Sequence, residues 1–202
     1  MRGFFVLALL TECCCAMQKA QWQRYENSGF VAFSNGAASD VETVLVELEY
    51  IRAAAGQTPG FAIPAERPKT VAVLLATAEE FARIAPLSTM AGFAQSIDGR
   101  ALIALPLQGV GDSDARIVVR HEFAHTLLFN DWFRYPQWYA EGFAELVSGI
   151  VVDRRNNSFQ IGTMPVRYSH DPAPAVDWND LIVDGFDAHQ LTEPKQIQRV
   201  YA

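Results

Sequence analysis

The segment that most constrains this chain is His121-Glu122-Phe123-Ala124-His125, an H-E-x-x-H pattern within an apolar stretch of helical period. Ile117, Val118, Phe123, Ala124, Leu127 and Leu128 carry that period. Four residues make about 1.1 turns of helix, so both imidazoles leave one face and can grip one ion. The flanking apolar residues require the helix to be largely buried. Two buried imidazoles cost desolvation free energy unless something binds them. Any fold that accepts this segment must therefore sink the helix into a core and bring a further ligand to its polar stripe. The metal this pattern predicts is Zn²⁺. Glu122 stands where it can reach a water at the ion's open position, whose pKa falls to about 7 on zinc.

The rest of the composition narrows the donors. The three cysteines are consecutive, Cys13, Cys14 and Cys15, and none follows them. The body of the chain thus has no disulfide framework and no thiolate site, which leaves nitrogen and oxygen ligands. The next predicted helix, opened by Pro136 and running to about Ile150, offers Glu141 and Glu145 one turn apart on one face. Fifteen residues separate His125 from Glu141, enough for a turn and an antiparallel return. Spacing alone does not choose between the two carboxylates.

The pairing of H-E-x-x-H with Trp138-Tyr139-Ala140-Glu141-Gly142-Phe143-Ala144-Glu145 resembles the gluzincin metallopeptidases, in particular small secreted bacterial domains of the peptidase MA-like kind. The resemblance implies a zincin-like fold and a peptide or protein substrate. It implies His121, His125 and Glu141 as zinc ligands, Glu122 as general base, and Glu145 as the carboxylate that orients a ligand histidine. The larger families place a longer connection before the ligand, and by that count Glu145 would take its place. A tyrosine from a later helix supports the oxyanion in these peptidases; Gln198-Arg199-Val200-Tyr201-Ala202 is similar to the start of that helix, which makes Tyr201 the candidate. Tyr168 and His170 are weaker alternatives. By the same resemblance the domain would continue through further helices after Ala202. The rival reading is a zincin-fold binding or structural domain without turnover.

The order of elements predicts an α+β fold: an N-terminal mixed or antiparallel sheet with helices, then the active-site helix and a helical half. Strands are expected at Gly29–Ser34, at Thr70–Leu75 (buried on both faces) and at Phe159–Gly162. A hairpin is expected across Asp98-Gly99. Capping boxes at Ser39/Glu42 and Thr77/Glu80 predict helices to about Ala55 and Ala85, and the motif helix should run to about Asn130. Residues 57–68 and Pro165–Pro174 read as loops, and Leu181–Val183 and Glu193–Tyr201 as short helical pieces. Asp131-Trp132-Phe133 and Trp138 read as core aromatics, and His189 as a lone surface residue.

Arg2, the apolar run Gly3–Leu10, and the small residues Cys14 and Ala16 fit a secretory signal over residues 1–16, although Glu12 interrupts it. The expectation is an exported protein, periplasmic or secreted, with one domain over residues 22–202; a lipid anchor on one of the cysteines is a weaker possibility. The net charge of −7 argues against nucleic-acid binding, which needs a basic surface. No apolar run after residue 20 is long enough to span a bilayer.

Overall fold

A computed structural model of the chain describes residues 21–57, 67–87, 89–128, 135–153 and 155–163. The expected signal segment, most of the loop at 57–68, Asp131-Trp132-Phe133, the loop from Pro165 and the helical pieces beyond it lie outside the described residues. So do Tyr168, His170, His189 and Tyr201.

The fold is mixed α+β. Strands β1 (Gln23–Glu26), β2 (Phe30–Ser34), β3 (Thr70–Leu75), β4 (Phe93–Ile97) and β5 (Arg100–Pro106) form one sheet in the order β1-β2-β3-β5-β4. The inner three run parallel; β1 and β4 join the two edges antiparallel. Helix α1 (Ala38–Gly56) makes the crossover from β2 to β3. The β4–β5 turn is the expected one: Asp98 and Gly99 both take positive φ, 49° and 74°, as a type I′ hairpin requires. Helix α3 (Ser113–Leu128) carries the motif and α4 (Gln137–Ser148) packs against it. A two-stranded hairpin, β6 (Val151–Asp153) and β7 (Ser158–Gln160), follows.

One core lies between the sheet and the helices. Phe30, Ala32, Ala72, Leu74, Ile103 and Leu105 meet Val41, Val44, Leu48 and Ile51 of α1, Val119, Phe123 and Ala124 of α3, and Ala144 and Val147 of α4. The ring of Phe30 lies 5.4 Å from that of Phe123, tilted 58°, and so ties β2 to the middle of the motif helix. On the opposite face a smaller cluster gathers Leu75 and Ala104 under Phe81 of α2 (Ala78–Ala82). Because α2 is this short, Val71 and Val73 stay half-buried, and β3 is not covered on both faces along its whole length as expected.

Other boundaries moved for local reasons. Thr77 caps α2 as predicted, its hydroxyl accepting from the Glu80 amide at 3.2 Å, but the helix ends at Ala82 rather than Ala85. The Ser39 cap does not form. Ala37 takes the extended N-cap conformation, and Ser39 already lies within the first turn, its hydroxyl turned to Asp40. Helix α4 stops at Ser148 instead of Ile150, because Gly149 turns the chain hard against the Thr163 carbonyl; a Cβ there would sit 2.1 Å from that oxygen. Strand β6 follows at Val151, and the strand expected at Phe159–Gly162 is β7, which begins one residue earlier and ends two residues earlier. Among the described residues no helix is long and apolar enough to cross a membrane.

Phe30→Ala is expected to lower unfolding free energy by about 3–5 kcal/mol through the cavity it leaves. Val46→Ala, at a 41% exposed position, should change it by no more than about 0.5 kcal/mol. Urea denaturation of the two variants measures both.

Candidate metal centre

Helix α3 turns Val119, Phe123, Ala124 and Leu128 into the core and leaves His121, Glu122 and His125 along one flank. The two imidazoles stand edge to face, with their Nε2 atoms 3.1 Å apart. Helix α4 approaches this flank through Ala140 and Ala144, whose small buried side chains let the helix axes come close. That approach carries Glu141 and Glu145 to the histidines. Glu141 Oε2 lies 3.4 Å from His121 Nε2 and 3.7 Å from His125 Nε2. Glu145 Oε1 lies 3.1 Å from the other ring nitrogen of His121, Nδ1. The carboxylates that spacing left equivalent are thus separated by geometry: Glu141 faces the same point as both Nε2 atoms, and Glu145 backs one ring.

These distances suit a zinc ion. Two nitrogens each 2.0–2.1 Å from a tetrahedral zinc are about 3.3 Å apart, and the observed 3.1, 3.4 and 3.7 Å bracket that spacing. Three protein donors of the His₂Glu kind leave a fourth position open, as catalytic zinc requires. The side chains of His121, His125 and Glu141 are only 10–13% exposed.

The charges point the same way. Three carboxylates, Glu122, Glu141 and Glu145, surround two imidazoles, an excess of negative charge that a cation would neutralise. Burial pulls the His121 pKa down, but hydrogen bonds to Glu141 and Glu145 outweigh it and hold the ring up at about 9. Burial dominates at His125, which falls to about 4. Burial also raises Glu122 to about 7, against the pull of His121. Glu141 resists the same desolvation and sits below its ordinary value because His121 and His125 favour its charge.

Gly92, at the entry to β4, is a site feature that the sequence reading did not count among the candidate site residues. A Cβ there would lie 2.8 Å from Glu122 Cγ, 2.7 Å from Leu105 Cδ2 and 3.2 Å from Val118 Cγ1. The bare backbone therefore presses on the Glu122 side chain and helps to bury it. A glycine beside a strand start is a signal of close approach that could have marked it. Trp138, read as a core aromatic, is half-buried at the start of α4 and meets Tyr139 edge-on; among the described residues it is in neither core cluster. No protein-family model matches the chain, and no curated protein matches it significantly.

In the metal-free protein, NMR titration should show one histidine near pH 9 and one near pH 4. Glu145→Gln should return the upper midpoint toward the ordinary value of about 6.5. Because His121 is protonated below about 9, zinc must displace that proton, and zinc affinity should rise with pH up to that value. Glu141→Ala is expected to abolish stoichiometric zinc binding, whereas Glu145→Gln should weaken it about 10–100-fold. Competition titration with a chromogenic chelator distinguishes the two.

Proposed function

We propose that this chain is a zinc-dependent peptidase of the gluzincin kind, with a zincin-like fold. The observation that carries the reading is the convergence of His121 Nε2, His125 Nε2 and Glu141 Oε2 on one point, with Glu122 buried next to His121. His121, His125 and Glu141 would hold the ion. Bound zinc would supply a water of lowered pKa and polarise the scissile carbonyl. Glu122 takes the proton of the attacking water and delivers it to the leaving amine, so that one carboxyl serves as base and then as acid. Glu145, behind His121, holds the ring in the tautomer that presents Nε2.

A peptide substrate is favoured by the sheet edge. Among the described residues strand β4 pairs with β5 alone, and its other side would offer backbone N–H and C=O groups to an extended chain. It starts at Phe93, directly after Gly92, which touches Glu122. A peptide added there would run past the reacting groups. The N-terminal segment 1–16 extends the proposal to an exported enzyme. Tyr201 is the proposed support for the oxyanion.

The test is Glu122→Gln on the zinc-loaded protein with a fluorescence-quenched, unfolded casein substrate. Zinc content should be unchanged and hydrolysis should fall by about 10²–10⁴-fold. A wild-type chain that holds stoichiometric zinc yet cleaves nothing would contradict the peptidase reading and favour a non-catalytic zinc-binding domain.

A further inference from the structure

Arg120 is a cation set in the otherwise apolar run of α3, immediately before the first histidine. Its guanidinium is spent on two other helices. Nε donates to Glu47 Oε1 of α1 at 2.7 Å, and Nη2 approaches the same oxygen at 2.5 Å. Nη1 donates to the Ile150 carbonyl at 2.7 Å and to the Ser148 carbonyl at 3.3 Å, at and just past the end of α4. The Arg120 and Glu47 side chains are 16% and 6% exposed.

Stability alone is a weak reason for this arrangement, because desolvating a buried ion pair offsets most of its attraction, and apolar replacements are often neutral. Position is a better reason. The last carbonyls of a helix have no partner within it, and a guanidinium that takes them fixes where that end lies. Ala140 and Ala144 let α4 come close to α3, but their small side chains do little to stop one helix sliding along the other. Neighbouring residues of α3 grip α4 at two points: His121 at Glu145, and Arg120 at Ser148 and Ile150. Glu141 lies seven residues before Ser148, about 10.5 Å along the axis, so a slip at the Arg120 end would be carried directly to it.

We propose that Arg120, anchored by Glu47, is a positioning residue for the metal centre that fixes the register of α4 on α3 and hence the place of Glu141 against the two histidines. The proposal rests on the zinc-site reading but not on peptidase activity.

The test uses the double variant Arg120→Met/Glu47→Leu, which removes both charges together and leaves neither one buried alone. Three quantities are measured: the melting temperature of the metal-free protein, zinc affinity by chelator competition, and the visible spectrum of the Co²⁺-loaded protein. A melting temperature within a few degrees of wild type is expected, with zinc affinity weakened about tenfold or more and an altered cobalt spectrum. Arg120→Lys, which keeps a donor for the α4 carbonyls, should recover part of the affinity. A folded double variant with wild-type affinity and cobalt spectrum overturns the proposal, even if its melting temperature drops. Should the double variant not fold, Glu47→Gln carries the test, and unchanged affinity there overturns it equally. A wild-type protein that binds no zinc overturns the metal-site reading, and this proposal with it.

Discussion

The seam between α3 and α4 buries two imidazoles and three carboxylates within a few ångströms of one another, and much of the molecule is arranged to make that burial tolerable. Ionisable groups taken out of water must be neutralised or paired. Here His121 is backed by Glu145, Glu141 faces both histidines, and Glu122 is covered by the bare backbone of Gly92. Without a metal the site keeps a proton on His121 to balance the acids around it. A divalent cation at the shared point of the three donors would balance those charges in place of the proton.

The sheet supplies the rigid floor for this seam. Parallel β2, β3 and β5 are buried beneath α1 and α3, and the Phe30–Phe123 contact fastens the motif helix to them two residues after His121. The antiparallel strand β4, at the edge of the sheet among the described residues, lies alongside α3 and adjoins the buried glutamate. Arg120 completes the frame from the other side by joining α1, α3 and the end of α4 through one guanidinium. Floor, edge and frame converge on one helix. That explains how a small domain can hold several charged groups inside without coming apart.

Where the local physical signal was strong, the fold was legible in the residues. The apolar period around His121–His125 marked α3, Thr77 with Glu80 marked α2, and Asp98-Gly99 marked the hairpin, each by a mechanism contained in a few neighbouring residues. Readings that depended on distant groups fared worse. Ser39 has the right spacing for a cap, but the chain enters α1 two residues earlier, at Ala37. Strand β1 is polar and exposed, with no alternation to announce it, and pairs only because β2 offers an edge. The helix expected to reach Ile150 ends at Ser148, where Gly149 meets Thr163, a contact that helical period does not announce. The same division runs through the site. His121, Glu122 and His125 declare themselves by spacing, whereas the difference between Glu141 and Glu145 exists only once two helices pack.

The most direct test of the central claim is anomalous diffraction at the zinc edge from crystals of the zinc-loaded protein. One strong peak is expected about 2.0–2.2 Å from His121 Nε2, His125 Nε2 and a Glu141 carboxylate oxygen, with Glu145 still on His121 Nδ1. A peak coordinated by Glu145 in place of Glu141, or no peak at the α3–α4 seam, would contradict it.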